Sequence, residues 1–367
     1  MGDDESRIHR IRRKLLAWYA VEARDLPWRN RRDPYAILVS EIMLQQTRVE
    51  TVLSYYDRFL ERFPTIESLA SASVDDVLKA WEGLGYYRRA HNLHRTAQAL
   101  VREHGGRLPE SVDELRRLPG IGHYTAGAVA SIAFGLDEPV LDGNVIRVLS
   151  RLFAVPGDPA RAVVRNRLFQ EAKLLASRGS AATLNQALMD LGARVCRPRS
   201  PRCHECPAAA DCDAHHIGEE VVYPQRRARR AVPHVTVVAG IIWGGSSFSR
   251  SSLLLIAKRR EDDMLGGLWE FPGGRVEEGE SHEEALVREL REELAIGVGA
   301  IKPFMKLDHA YTHFRMTLHA YHCRHTGGEP RAIECADWAW VGLDELDAFA
   351  FSTADRKILA ALTAQLG

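Results

Sequence analysis

Four cysteines, Cys196, Cys203, Cys206 and Cys212, form a C-x6-C-x2-C-x5-C array. Four thiolates this close in sequence could hold a [4Fe–4S] cluster or a tetrahedral zinc ion. Disulfides are the weaker interpretation, because a chain of 367 residues can bury its cores without covalent crosslinks. Zinc ribbons usually carry two C-x2-C pairs and this array has one, so the spacing favours iron–sulfur.

A second segment could bind phosphate. Residues 118–122, with Leu118, Gly120 and Gly122, lie between two predicted helices, 112–117 and 124–133. A glycine-containing turn at the start of a helix leaves backbone N–H groups free to bind an anion. Taken alone, the segment could equally be an ordinary turn between helices.

Asp142 places a carboxylate beside a glycine at the start of the next predicted helix. A lone aspartate at such a position is most often an N-cap. The combination changes this interpretation. The 118–122 turn, the 141–145 segment and the cysteine array, in that order, resemble the helix-hairpin-helix DNA glycosylases related to endonuclease III.

Within that superfamily the chain resembles the adenine-specific mismatch glycosylases, the MutY type. The residues that carry this resemblance are LPWR at 26–29, SEIMLQQT at 40–47, WEGLGYY at 81–87 and NQALMDLG at 185–192. The resemblance covers essentially all of residues 7–230. It implies an all-α glycosylase domain with a [4Fe–4S] loop. It also implies double-stranded DNA with adenine opposite 8-oxoguanine or guanine as the substrate.

The resemblance also implies catalytic roles. Glu41 would protonate adenine, and Asn144 would orient the site. Asp142 would stabilise the positive charge that develops on the sugar or bond to it transiently. Glu41 is surrounded in sequence by apolar residues, which favour its protonated form. Lyase-type relatives carry a lysine where this chain has Tyr124, and no lysine occurs between Lys79 and Lys173. We therefore predict a monofunctional enzyme that leaves an intact abasic site.

Further residues match the family's DNA contacts. Gln46 and Tyr86 match positions that fill or wedge the base stack. The positions of the adenine pocket are matched by Trp28, Arg29, Leu44 and Gln186. For Trp28 and Leu44 taken individually, ordinary core packing is a reasonable alternative.

The C-terminal part carries an almost complete Nudix signature from Gly274 to Ile296, with Ala295 where glycine is usual. Glu289, Glu292 and Glu293 lie close together on one predicted helix, and their oxygen ligands suit Mg²⁺ or Mn²⁺. Three hypotheses compete for this helix: a solvated charged face, a structural metal site, or active hydrolysis of a nucleotide such as oxidised dGTP.

In the resembled family, the C-terminal Nudix-like domain generally contacts 8-oxoguanine and has lost this carboxylate set. This sequence departs from the pattern by keeping it. Tyr311, Thr312 and His313 resemble the family's lesion-contacting loop, with Tyr and Thr in place of the commoner Phe and Ser. A hydroxyl and an imidazole there could hydrogen-bond the altered base edge.

The elements that position these residues change type along the chain. Apolar residues recur at helical spacing from Arg7 to Ala193, whereas β-rich runs begin after Pro233. We predict a helix-hairpin-helix glycosylase domain over 1–216, a basic connector over 217–232 and an α/β Nudix-like domain over 233–367. Basic residues outnumber acidic residues in 1–232, whereas acidic residues outnumber basic residues in 233–367. DNA is therefore expected to bind to the first part.

The bulk composition excludes several classes of protein. No apolar run approaches the length of a membrane span, and the acidic N-terminus has no apolar signal region. We expect a monomeric cytoplasmic protein, associated with the nucleoid, in which Cys323 and Cys335 serve packing. The leading hypothesis is an adenine glycosylase. The second is a Nudix pyrophosphohydrolase of oxidised nucleotides carried on a DNA-binding module, or both activities together. The third is a non-enzymatic DNA-binding iron–sulfur protein.

Overall fold

The chain forms two compact units in a computed structural model that describes residues 2–176, 179–226, 232–245, 247–311 and 314–366. The first unit contains Met1–Ala70 and Arg95–Arg229, and the second contains Ser71–His94 and Arg230–Gly367. The predicted change from an all-α part to an α/β part is confirmed. Among the described residues, no helix combines the length and apolarity needed to span a bilayer.

The α-helices are, in chain order, α1 (Gly2–Glu22), α2 (Pro34–Met43), α3 (Val49–Arg62), α4 (Ile66–Ser71), α5 (Val74–Trp81), α6 (Arg88–His104), α7 (Val112–Leu115), α8 (His123–Phe134), α9 (Gly143–Leu152), α10 (Ala162–Ala176), α11 (Ala181–Arg194), α12 (Asp213–His216), α13 (His282–Leu294) and α14 (Thr353–Leu366). Short 3₁₀ helices cover Pro27–Arg29, Cys203–Glu205, Ala209–Asp211 and Leu343–Ala348. The strands are β1 (His234–Trp243), β2 (Leu254–Lys258), β3 (Trp269–Glu270), β4 (Gly297–Ala310), β5 (Arg315–Gly327) and β6 (Asp337–Val341).

The central helix of the first unit is α2. It begins at Pro34, which suits the first turn because proline lacks an N–H there, and the Asp33 side chain caps it by accepting from the Tyr35 N–H at 3.1 Å. Every residue from Tyr35 to Met43 is buried. A helix that is buried on all sides is enclosed by other elements, so the polar Glu41 on it lies inside the protein.

Helices α9 and α11 approach each other closely. Val145 and Leu149 of α9 share one hydrophobic core with Leu184 and Leu188 of α11. A Cβ atom built on Gly192 would lie 2.6 Å from the Cβ of Asn144, so only glycine allows this approach. The contact fixes the start of α9, which carries the candidate catalytic residues.

The second unit is a mixed sheet with helices on both faces. Its strand order is β3-β2-β1-β5-β4, with β6 paired to β2, and β1 runs parallel to β5. Alternate residues of a strand face opposite sides. On β1, Val238 and Ile242 pack with α13, whereas Ile241 and Trp243 share a core with α14. The buried Cys323 and Cys335 pack in the α13 core.

Residues 71–94 belong to the same compact unit as the C-terminal part of the chain. The domain boundaries predicted from the sequence do not include this grouping. The predicted glycosylase domain over 1–216 included this segment. Ion pairs join it to the C-terminal residues, for example between Asp75 and Lys258 and between Glu82 and Arg356. The compact units follow spatial proximity and not independent folding, so the predicted boundaries at 216 and 232 stay a prediction.

Candidate active site

A cleft of about 880 Å³ in the first unit brings together most of the sequence-predicted residues. Those that line it are Trp28, Arg29, Glu41, Leu44, Gln46, Gly120, Gly122, Tyr124, Asp142, Asn144 and Gln186. Leu118 is not among the lining residues, and Tyr86 belongs to the second unit. Residues more than a hundred positions apart in sequence therefore share one concave surface, as an enzyme site requires.

Glu41 is a buried carboxyl at the cleft. Its side chain is on α2, the residue is only 5% exposed, and the Tyr124 hydroxyl donates a hydrogen bond of 2.8 Å to its Oε2. The pKa of Glu41 is raised to about 7. Burial is the largest cause, the hydrogen bond from Tyr124 lowers the pKa, and the charge of Asp142 raises it. A carboxyl with such a pKa can hold a proton at neutral pH and release it, as a general acid does.

Asp142 is the N-cap of α9, as its position beside Gly143 suggested. Its Oδ1 accepts from the Val145 N–H at 2.6 Å, and its Oδ2 accepts from Asn144 Nδ2 at 3.0 Å. Burial raises the pKa of Asp142, and hydrogen bonds from Val145 and Asn144 oppose that rise because they stabilise the charged form. Asp142 thus lines the cleft as a hydrogen-bonded carboxyl group.

Tyr124 is the second residue of α8, and its hydroxyl interacts with the charges of both Glu41 and Asp142. Burial and the charges of Glu41 and Asp142 hold its pKa well above the usual value. The hydroxyl therefore stays neutral and donates a hydrogen bond to Glu41. No lysine side chain lines the cleft among the residues described.

Arg147 was not singled out from the sequence, yet it links the catalytic segment to the cysteine loop. Its guanidinium donates to Asn144 Oδ1 at 2.8 Å, to the Gly192 carbonyl at 2.7 Å and to the Cys196 carbonyl at 2.8 Å. Arg147 is one turn along α9 from Asn144, and this helical spacing is the only signal that could have indicated it.

The predicted adenine pocket is held by residues that sequence analysis also missed. The fully buried Asp190 binds Arg29 through both carboxylate oxygens and pairs with Arg24 as well. Gln186 accepts from the Tyr19 hydroxyl at 2.6 Å. Because Asp190 fixes the guanidinium of Arg29, Arg29 presents a directed donor rather than a mobile cation.

Trp28 and Leu44 also reach the cleft. Trp28 is buried and contacts the Tyr56 ring edge-on at 5.4 Å, so it combines core packing with a place on the cleft wall. Leu44 is the half-buried C-cap of α2. The core alternative for Trp28 is therefore correct without excluding the pocket.

The two predicted wedge residues share a backbone feature. Gln46 has a φ of 56° and Tyr86 a φ of 49°, the left-handed region that non-glycine residues rarely adopt. Both are exposed, Tyr86 to 42%. Backbone strain of this kind clusters at functional sites.

The 118–122 turn joins α7 to α8. Gly120 has a φ of 72°, and Gly122 is the N-cap of α8 with no side chain capping the helix. The first N–H groups of α8 therefore point out of the helix unsatisfied by a side chain. Leu118 is buried and contributes to packing.

The four cysteines of the array are free thiols that surround one small cavity. A tetrahedral zinc ion with Zn–S bonds of about 2.3 Å would hold its sulfurs about 3.8 Å apart. Within the described residues, no three of these sulfurs lie within 4.8 Å of one another. Four thiols around one cavity fit a cluster in which each thiolate binds a different iron. Cys203, His215 and Glu220 do form a tighter group.

The Nudix-box helix α13 begins with a capping box between Ser281 and Glu284. It ends at Ala295, whose φ of 57° lies in the left-handed region. This geometry explains why glycine is usual at that position of the motif.

The three box glutamates have different surroundings. Glu293 is 9% exposed, and its Oε2 has no hydrogen-bond partner among the described residues. The side chain of Glu289 is 20% exposed and that of Glu292 is 52% exposed, and both pair with Arg288. The three carboxylates therefore differ in depth: Glu293 is buried, Glu289 is intermediate and Glu292 is exposed.

Two further carboxyl groups lie at the same place and were missed from the sequence. Burial raises the pKa of Glu270 and of Asp355, and the charges of Glu293 and Asp355 raise that of Glu270 further. Glu270 pairs with Arg259. Neither residue belongs to the box, since β3 and α14 bring them to α13 only in the folded unit.

Tyr311 follows β4, and its ring stacks on Phe314 at 4.8 Å. Burial raises the pKa of Tyr311 to about 12, and the charges of Asp355 and Glu270 contribute. Thr312 and His313, the other two predicted lesion contacts, lie outside the described residues.

Comparison with known proteins places both parts of the chain. Residues 39–173 match the model of the HhH-GPD superfamily base excision DNA repair proteins, and residues 247–361 match the NUDIX domain model. The adenine DNA glycosylase of Rattus norvegicus is 35% identical, over 97% of this chain and 78% of the relative. That of Homo sapiens is 34% identical, over 97% of this chain and 74% of the relative.

Solved structures also match part of the chain. A thermostable thymine-DNA glycosylase aligns with a TM-score of 0.53 and 30% identity, over 58% of this chain and 98% of that chain. A trapped endonuclease III–DNA covalent intermediate aligns with a TM-score of 0.51 and 22% identity, over 58% of this chain and 98% of that chain. At that identity the second match concerns the fold alone.

Proposed function

The chain belongs to the adenine DNA glycosylases of base excision repair, and from this premise we propose that it hydrolyses the N-glycosidic bond of adenine opposite 8-oxoguanine or guanine. The observation that carries the proposal is the pair of buried carboxyl groups at one cleft. The pKa of Glu41 is raised to about 7, and Asp142 accepts hydrogen bonds from Val145 and Asn144 that oppose the rise in its own pKa.

The two carboxyl groups divide the chemistry between them. Glu41 donates its proton to a ring nitrogen of adenine, which turns a poor leaving group into a neutral one. Asp142 faces the sugar and stabilises the oxocarbenium-like cation, with Asn144 holding its Oδ2. The hydrogen bond from Tyr124 to Glu41 keeps the acid in place between turnovers.

The product is an intact abasic site. Strand cleavage through an imine needs an amine nucleophile beside the sugar. Tyr124 stands at the position where lyase-type relatives carry that lysine, and its raised pKa keeps it neutral and unreactive.

The base must leave the duplex before chemistry. Gln46 and Tyr86 enter the stack as adenine is extruded, and the pocket formed by Trp28, Arg29, Leu44 and Gln186 receives it. Backbone N–H groups at Gly120, Gly122 and the start of α8 bind a DNA phosphate. Tyr311, with Thr312 and His313, contacts 8-oxoguanine.

The cysteine loop fits a [4Fe–4S] cluster bound by Cys196, Cys203, Cys206 and Cys212. The cluster supplies rigidity to a loop with basic flanks rather than chemistry at adenine. This role agrees with the contact between Arg147 and the Cys196 carbonyl, through which the loop supports Asn144.

A single-turnover assay with excess enzyme tests this proposal. Duplexes carrying adenine opposite 8-oxoguanine, guanine and cytosine are compared, with borohydride added in parallel. We expect excision opposite 8-oxoguanine and guanine, little opposite cytosine, and no covalent trapping. Strand cleavage by the pure protein with efficient trapping contradicts the monofunctional mechanism.

A second activity, hydrolysis of oxidised nucleoside triphosphates, is favoured by one observation. The buried Glu293 keeps an oxygen without a partner beside other carboxyl groups, and a divalent cation satisfies such a group. Glu289 and Glu292 complete the box, and Mg²⁺ or Mn²⁺ would be held there. The assay is release of pyrophosphate from 8-oxo-dGTP with either ion. Glu293→Gln should abolish it, whereas Glu283→Gln, an exposed glutamate on the same helix, should not.

A further inference from the structure

The exposed Tyr86 lies on a short loop whose two ends are fastened to one residue of the C-terminal part of the second unit. The loop runs from Gly83 to Tyr86 between α5 and α6. Glu82, just before it, accepts a hydrogen bond of 2.7 Å from the Phe351 N–H. Tyr87, just after it, donates its hydroxyl to the Phe351 carbonyl at 3.5 Å. Both the backbone N–H and the carbonyl of Phe351 therefore hydrogen-bond to residues that flank the loop.

Phe351 is a rigid anchor. It is fully buried in the sheet core, its ring stacks on Phe271 at 5.9 Å, and its backbone forms a bridge with Trp269. A side chain packed in this way has little freedom to move. A loop tied to it inherits that rigidity.

Glu82 is the hub of the attachment. Its Oε1 also accepts from Arg356 Nε at 2.6 Å, and its Oε2 accepts from Lys79 Nζ at 2.8 Å. Lys79 and Arg356 both donate to the Phe349 carbonyl, at 3.1 and 2.8 Å. One carboxylate therefore gathers two cations and a backbone N–H from two distant parts of the sequence. Its side chain is only 18% exposed, which limits screening by solvent.

The loop itself is built to present Tyr86. Gly83 and Gly85 have φ values of 91° and 75°, and Tyr86, which follows Gly85, has a φ of 49° in the same left-handed region. The Tyr87 hydroxyl accepts from the Gly83 N–H at 3.0 Å, and Arg89 donates to the Gly85 carbonyl at 2.9 Å. The Arg89 guanidinium lies 5.4 Å from the Tyr86 ring centre. An exposed aromatic ring that already packs on a neighbouring side chain can enter a base stack without first becoming ordered.

We propose that Glu82 is a positioning residue that fastens the Tyr86 loop to Phe351 and Arg356, so that Tyr86 is already ordered when it separates stacked bases. This inference rests on the wedge role proposed for Tyr86.

The test is a double-mutant cycle on the full-length protein. Single-turnover excision from an A·8-oxoguanine duplex is measured for the parent, Glu82→Ala, Tyr86→Ala and the double variant. A 2-aminopurine beside the mismatch reports unstacking on binding. We expect Tyr86→Ala to slow excision about tenfold and Glu82→Ala about fivefold, with loss of the fluorescence increase in both. The double variant should match Tyr86→Ala within about twofold.

Two further variants separate positioning from folding. Glu82→Gln keeps an acceptor for the Phe351 N–H but loses the charge that pairs with Arg356, so we expect a smaller decrease of about twofold. Glu329→Gln, an exposed glutamate of the same unit, should behave as the parent. Thermal unfolding identifies any variant that fails to fold, and Glu82→Gln then carries the comparison.

The outcomes distinguish this inference from the proposed function. If the parent does not excise adenine, the proposed function fails. If the parent excises adenine but Tyr86→Ala is silent, the wedge role and this inference fail together. If Tyr86→Ala slows excision while Glu82→Ala and Glu82→Gln leave it unchanged, or if the effects of Glu82→Ala and Tyr86→Ala multiply, the positioning role is wrong.

Discussion

The two units each contain a group of carboxyl groups whose pKa values are raised by burial, but the hydrogen bonding of these groups differs. In the first unit, Glu41 and Asp142 both accept hydrogen bonds, which lower the pKa of each carboxyl group against the rise that burial causes. In the second unit, Glu293 and Glu270 share one environment that raises both pKa values, and Glu293 keeps an oxygen without a partner in the part of the chain that the structure describes.

This difference indicates what each site requires. A buried carboxyl group with a pKa of about 7 can supply a proton, and a second carboxyl group that accepts hydrogen bonds can face a developing positive charge. Like carboxyl groups crowded together repel one another until a proton or a cation arrives. We therefore expect the first site to act through its own carboxyl groups and the second to bind a cation.

The largest expected effect comes from Asp142→Asn. The substitution keeps the N-cap acceptor to Val145 but removes the charge that stabilises the sugar cation. We expect the single-turnover excision rate to fall by at least about a thousandfold, while binding to the mismatched duplex persists. Gel-shift titration and quenched-flow excision measure the two quantities. Excision by Asp142→Asn near the parent rate would remove Asp142 from the mechanism.

A smaller effect is expected from Arg147→Ala, which acts on the same site from outside. Loss of the guanidinium releases Asn144 and the Cys196 carbonyl together. We expect excision to slow by about 10- to 100-fold, the range found when residues supporting a metal or catalytic ligand are removed. Arg165→Ala, on the exposed face of α10, is the matched control. Equal rates for the two variants contradict the link between cysteine loop and active site.

The second unit should respond to a cation where the first does not. We expect Mn²⁺ at about ten times its dissociation constant to stabilise the parent by about 1.4 kcal/mol, seen as a higher unfolding temperature of the second unit. Glu293→Gln should abolish this response and, without the ion, should not destabilise the protein, because it removes a buried repulsion. A parent that shows no response to Mn²⁺ or Mg²⁺ identifies the helix as a charged face.

The smallest effect concerns the end of α13. Ala295→Gly relieves a left-handed backbone conformation that alanine adopts with strain, so we expect a gain of about 0.5–1 kcal/mol in the free energy of unfolding. Ala285→Gly, at a fully buried position near the start of the same helix, should destabilise by about 1 kcal/mol or more. Chemical denaturation measures both. Destabilisation by Ala295→Gly contradicts the role of the left-handed cap.

Much of the candidate site could be predicted because its chemistry is written in local motifs. Asp142 follows a turn and begins a helix, and Glu41 lies in an apolar helix, so their burial and capping follow from sequence. The structure confirms the order of the all-α and α/β parts for the same reason, since the hydrophobic period changes at Pro233.

The remaining features depend on contacts between distant residues. Asp190 and Arg147 act through partners brought near only by the packing of α9 and α11 on neighbouring elements, which no local pattern encodes. The three box glutamates look alike in sequence, but their depth depends on how α13 rotates against the sheet. The grouping of residues 71–94 with the C-terminal part likewise follows from ion pairs between residues more than 180 positions apart.

The pH dependence of adenine excision tests the central claim most directly, because the claim is that Glu41 acts as a protonated acid with a pKa of about 7. Single-turnover rates on the A·8-oxoguanine duplex are measured from about pH 5.5 to 9 for the parent and Glu41→Gln. For the parent, the protonated fraction of Glu41 falls as the pH rises through about 7, so the rate should decline there. Glu41→Gln should be slow and lose this decline. A parent rate that stays constant across neutral pH, or the same decline in Glu41→Gln, would contradict the account.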